Sequence, residues 1–94
     1  MRTLEIEIRN PSGIHLRPAG TFVKGAAAYR SAITLENVTR GGKAVNAKDA
    51  LAVLSHGKAA RGDLVRIVAE GEDEDVAIEG LRELIEGGLG ESLE

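Results

Sequence analysis

The chain has ninety-four residues, a formal net charge of −3, no cysteine, and only two histidines, His15 and His56. That length suits one domain; the missing cysteines exclude a disulfide framework and a thiolate metal site, and the histidines lack paired ligand spacing, so no metal or cofactor is expected. The mildly acidic balance argues against a nucleic-acid partner, and no apolar run is long enough to cross a membrane. Met1-Arg2-Thr3 leads straight into a strand pattern with no signal-peptide signature, so a soluble cytoplasmic protein is expected. Aromatic residues make up only 2% of the chain, so its core must be built from Leu, Ile, Val and Ala.

Leu4, Ile6 and Ile8 alternate with Glu5 and Glu7, the period of a half-buried strand. Arg9-Asn10-Pro11-Ser12-Gly13 reads as a turn leaving that strand. A helix is predicted from residue 16 to about 29, with Leu16, Ala19, Val23, Ala26 and Ala27 on one face and Phe22 close to it. Ile33 and Leu35 alternate with Thr34 and Glu36 in a second strand. After a turn at 39–42, Lys43-Ala44-Val45 is a short third strand, completing a hairpin. Residues 47 to about 55 form a short helix with Asn46 as its N-cap and Gly57 as its stop signal. A basic loop at 58–62 precedes a fourth strand at 63–69. The acidic turn Gly71-Glu72-Asp73-Glu74-Asp75 favours a helix start. The last helix is predicted from 76 to about 86, with Ala77, Leu81, Leu84 and Ile85 on one stripe. The domain spans 1–88, and 89–94 is expected to be a frayed tail. Strand, helix, strand, strand, helix, strand, helix is an order that can bury one sheet face under helices; the strand order within the sheet does not follow from it.

The chemistry concentrates in Gly13-Ile14-His15-Leu16-Arg17-Pro18-Ala19. His15 stands at a predicted helix start, where backbone N–H groups lack internal partners and the dipole favours negative charge. Pro18 falls in the first turn, where a missing N–H costs little. A neutral imidazole is a nucleophile, and a guanidinium two residues later suits phosphoryl oxygens. A lone histidine before a helix is more often a plain cap. Arg17 in a first turn, against the dipole, tilts the balance toward a phosphoryl site.

This stretch closely resembles the active-site signature of HPr, the histidine phosphocarrier family of the bacterial phosphoenolpyruvate-dependent sugar phosphotransferase system. The resemblance continues in family order through Thr21-Phe22-Val23-Lys24, Val45-Asn46-Ala47-Lys48 and Glu70-Gly71-Glu72-Asp73-Glu74. It implies an α+β fold, the βαββαβα open-faced sandwich, with a four-stranded antiparallel sheet in order 1-4-2-3 covered on one face by three helices. It implies a carrier and not an enzyme: His15 accepts a phosphoryl group on Nδ1 from phosphorylated enzyme I and donates it to a sugar-specific enzyme IIA domain. Arg17 and the amides of Leu16 and Arg17 would hold the group, and Pro18 would fix the helix entry. Lys24, Lys48, Asp49, Ala50, Leu51 and Leu54 would form the docking surface of a monomer for these partners and for regulatory proteins. Two departures stand out. Asp49 occupies the position of the family's regulatory serine, and residues 37–42 make a turn a few residues longer than usual, expected to lie away from His15. The alternatives are a paralogous carrier of a nitrogen-related or dihydroxyacetone chain, and a docking module of the same fold that is not phosphorylated.

Overall fold

The alternating segment at the N-terminus becomes strand β1 (Arg2–Glu7), which pairs antiparallel with β4 (Leu64–Glu70) through Leu4 opposite Ile67 and Ile6 opposite Val65. Strand β2 (Ala32–Asn37) lies on the other side of β4, with Ile33 opposite Ala69 and Leu35 opposite Ile67. The short β3 (Val45–Asn46) closes the sheet in the order β1-β4-β2-β3, as the family resemblance implies. The structure, a computed structural model, describes residues 1–93; Glu94, the last residue of the expected tail, lies outside them.

Period-2 alternation sends Leu4, Ile33, Leu35, Val65, Ile67 and Ala69 to one face. There they are buried with Phe22, Ala26, Ile78, Leu81 and Ile85 from helices α1 (Leu16–Ala27) and α3 (Glu74–Glu86). The short helix α2 (Ala50–His56) adds Val53 and packs beside α1. The opposite face carries a cross-strand charge ladder, with Arg66 at 2.7 Å from Glu5 and 3.2 Å from Glu36. The sheet is thus covered on one side.

Several boundaries differ from those read off the sequence. Helix α1 ends at Ala27, and its buried face is Pro18, Ala19, Phe22 and Ala26; Leu16 and Ala27 are exposed and Val23 is half-buried. Leu16 has φ +47°, so the regular helical period begins only after it. Strand β3 starts at Val45 and leaves Lys43 and Ala44 outside the ladder. Helix α2 starts at Ala50 and is capped by Asp49, whose Oδ1 accepts from the Ala52 amide at 3.1 Å. Asn46 cannot cap it: its backbone pairs with Thr34 in the sheet, and its side chain accepts from the Lys48 amide at 3.0 Å, an Asx turn. Helix α3 begins two residues early, and Leu84 is half-buried where Ile78 is buried. The preceding Asp73 receives hydrogen bonds from the Arg30 and Ser31 amides at 2.8 and 2.9 Å. The tail is not frayed over its first residues. Leu89 is buried, its amide donates to the Leu84 carbonyl, and Glu91 bonds back to Asn10 and Ser12.

Strand β4 starts one residue late, because Asp63 serves the loops instead. Its buried Oδ2 accepts from Asn37 Nδ2 at 3.0 Å, the Ala60 amide at 2.9 Å and Arg40 Nε at 2.8 Å. Asn37 also donates to the Lys58 carbonyl and accepts from the Arg40 amide, both at 3.0 Å. One carboxylate thereby fixes both the 37–42 turn and the 58–63 loop. The Asn37 amide, then the Ala60 N–H and Arg40, hold its pKa down from 3.8 to about 2. A depressed folded-state pKa contributes stability that is complete above the unfolded value and lost as pH falls through the folded one. Asp63→Asn leaves the three donors a neutral and weaker acceptor in place of a carboxylate and should cost about 1–3 kcal/mol at pH 7. Urea unfolding from pH 7 down to pH 2 should show that gap closing below pH 4; a gap independent of pH would contradict this role of the charge.

Candidate functional site

The site is built on the turn between β1 and α1. The Gly13 amide donates to the Asn10 carbonyl at 3.1 Å, and Asn10 Nδ2 donates to the Gly13 carbonyl at 2.9 Å, a closed turn of the kind Asn and Gly favour. Gly13 has φ +66°, and a Cβ there would stand 2.0 Å from the Ala59 carbonyl oxygen. This close approach lets Ile14 and Ala59 exchange backbone hydrogen bonds at 2.8 and 3.3 Å. Ile14 is fully buried, so the next residue is carried outward on an anchored backbone.

That residue is His15. It is exposed, extended (φ −158°, ψ 146°) and the N-cap of α1, yet its side chain makes no capping hydrogen bond. The imidazole is therefore not consumed in holding the helix. Leu16 then adopts φ +47° with its side chain 69% exposed. A left-handed conformation costs a non-glycine residue about 1–2 kcal/mol, and such strain collects at functional sites. The amides of Leu16 and Arg17 donate no hydrogen bond among the described residues. Pro18 is buried and seats the first turn.

His15 lines two clefts. One, of about 220 Å³, is lined by Ser12, Leu16, Arg17, Pro18 and Glu91. The other, of about 390 Å³, is lined by Ser12, Arg40, Lys58, Ala59 and Ala60. The long 37–42 turn, expected to lie away from His15, thus puts Arg40 in the lining of a cleft that His15 shares. Glu91 accepts from Asn10 Nδ2 at 2.8 Å, the Ser12 amide at 3.0 Å and Ser12 Oγ at 2.7 Å. Asn10 foremost, then Ser12, with Arg17 nearby, lower its pKa. Arg40 and Glu91 were missed by sequence reasoning because neither is local to the motif: sheet pairing and the returning tail bring them in.

The expected docking residues divide. Lys24, Asp49, Ala50 and Leu51 are exposed, Leu51 at 77%. Leu54 is half-buried against the core. Lys48 is partly spent on structure, its Nζ donating to the Tyr29 carbonyl at 2.6 Å. Asp49 is accounted for by its capping bond. No cluster of three or more His, Cys, Asp or Glu side chains suited to a metal exists among the described residues.

A model of the PTS HPr component phosphorylation site matches residues 3–87. The chain belongs to the HPr family. It is 45% identical over 82 residues to the phosphocarrier protein HPr of Borreliella burgdorferi, covering 87% of this chain and 91% of that one. It is 41% identical over 86 residues to a multiphosphoryl transfer protein of Haemophilus influenzae, covering 92% of this chain but only 17% of that longer protein's length. A crystal structure of HPr from Thermoanaerobacter tengcongensis superposes with a TM-score of 0.88 at 41% identity, covering 98% of this chain and 99% of the other.

Within this HPr fold, Gly13 is the residue least open to change. Gly13→Ala should lose at least about 2 kcal/mol in urea unfolding, since it combines a strained φ with a backbone collision. Its Ile14 and Ala59 amides should exchange with solvent faster. Unaltered stability and protection would contradict the clamp.

Proposed function

We propose that this chain is a phosphocarrier of a sugar phosphotransferase system. His15 takes a phosphoryl group, ultimately from phosphoenolpyruvate, from phosphorylated enzyme I and gives it to an enzyme IIA domain. The observation that carries the reading is the exposed imidazole on an anchored backbone, unspent as a cap, beside Arg17 and two helix-start amides with no acceptor among the described residues. In the forward step the Nδ1 lone pair attacks phosphorus. The bond from phosphorus to the donor nitrogen breaks, and its electron pair returns to the donor. Arg17 and the amides of Leu16 and Arg17 receive the phosphoryl oxygens.

A carrier must let go of what it binds. Interactions that favour the intermediate more than the transition state slow onward transfer. In the cleft with Arg17 a single guanidinium is exposed to solvent, and the Glu91 carboxylate there opposes excess negative charge. That arrangement holds the group moderately. The exposed Leu51, with Lys24 at the rim, suits brief docking onto acidic partners. The role calls for a cytoplasmic monomer that presents one face to successive partners. The same chemistry would serve a nitrogen-related or dihydroxyacetone chain, and assay of the acceptors separates these branches.

With enzyme I and phosphoenolpyruvate, wild type should gain one acid-labile phosphoryl group by intact mass, and His15→Ala none. Incorporation into His15→Ala would move the acceptor to another residue, and none into folded wild type would favour a docking module instead. Arg17→Ala should keep the fold and slow transfer about 10- to 100-fold, or about 1.4–2.7 kcal/mol. Unchanged rates would remove Arg17 from the site.

A further inference from the structure

The two clefts beside His15 differ in charge. The cleft that contains Arg17 also contains Glu91. The larger one is lined by two cations, Arg40 and Lys58, with the Asp63 carboxylate behind Arg40 at 2.8 Å. Arg40 is paired with Asp63, but the Lys58 ammonium has no anionic partner among the described residues, so an oxyanion carried on His15 meets an unneutralised cation on that side.

Arg40 is also held in place. An arginine in a six-residue turn would ordinarily be a solvated charge. Here its amide is bonded to Asn37 Oδ1 and its Nε to the buried Asp63 carboxylate. The depressed pKa keeps Asp63 ionised throughout the physiological range. One edge of the guanidinium is therefore fixed, while its two terminal nitrogens make no hydrogen bond among the described residues and the side chain stays 63% exposed. A planar donor oriented by a buried carboxylate, with its terminal nitrogens unbonded and the residue lining a cleft, can grip phosphate oxygens with little ordering cost. Lys58 stands in the same cleft as a point charge, and its own carbonyl is fixed by Asn37.

We propose that the Arg40–Lys58 cleft is a second phosphoryl-binding site, in which Arg40 donates hydrogen bonds to the oxygens of the group carried on His15, in addition to Arg17. This rests on the phosphocarrier reading. It makes the long 37–42 turn part of the active centre, and it gives the phosphoryl group a cationic neighbour in each of the two clefts.

The test uses the full chain labelled with ¹⁵N and charged on His15 by enzyme I and phosphoenolpyruvate. The Arg40 guanidinium resonances should shift on charging and return when the group is removed. Arg40→Gln and Lys58→Gln should each slow phosphoryl acceptance about three- to tenfold, and Arg40→Lys should recover part of the loss. Lys58→Gln leaves the Asp63 network untouched, so the test stands even if Arg40→Gln fails to fold. Charged His15 with unmoved Arg40 resonances and variants at wild-type rates would overturn the second site and leave the phosphocarrier reading intact. Slower variants with unmoved resonances would assign the cleft to partner docking and overturn it too. Failure of His15 to charge would overturn both.

Discussion

The reciprocal backbone hydrogen bonds between Ile14 and Ala59 are the constraint on which the site depends. They tie the turn after β1 to the loop before β4, and they form only because residue 13 has no side chain. Everything functional hangs from that tie. Ile14 is driven into the core, His15 is turned outward in an extended conformation, and Leu16 must take a left-handed turn before the helix can begin. On the far side, the same loop is fastened by the Asp63 carboxylate, which also holds Arg40. A short chain of backbone and side-chain hydrogen bonds thus connects the backbone next to His15 with the turn that carries Arg40.

This arrangement separates rigidity from affinity. The backbone under His15 is anchored by the buried Ile14 and its paired hydrogen bonds with Ala59, so little ordering is needed when a partner arrives. The groups that would touch a phosphoryl oxygen are exposed, where each interaction is weakened by solvent. A donor and an acceptor must both find the group near equal free energy, and a deep, dry pocket would defeat that. Glu91, folded back on Asn10 and Ser12, works in the same direction by placing a fixed negative charge beside Arg17.

The legible parts of this protein were the local ones. The alternation of β1, β2 and β4, the motif around His15 and the stop at Gly57 all stand in short windows whose physics is self-contained. The sheet order came from resemblance alone, because alternation says which face of a strand is buried and nothing of its neighbours. Asn46 and Asp49 are both good caps by residue type; only the pairing of Asn46 with Thr34 decides between them. Helical spacing placed Leu16 on the buried face because it assumes ideal dihedrals from the first residue, and φ +47° breaks that assumption. Arg40 and Glu91 were invisible as site residues for a different reason. Their place beside His15 is a property of strand pairing, of Asp63 and of the packing of Leu89, and none of these leaves a mark in local spacing.

The central claim is that His15 holds a phosphoryl group loosely enough to pass it on. A pulse–chase with labelled phosphoenolpyruvate measures this most directly: charge the protein, isolate it from enzyme I, and add an enzyme IIA domain. The account predicts that the label leaves His15 quantitatively for the acceptor, far faster than it is lost to water. Label that stays on the protein, or reaches solvent without ever appearing on the acceptor, would contradict it.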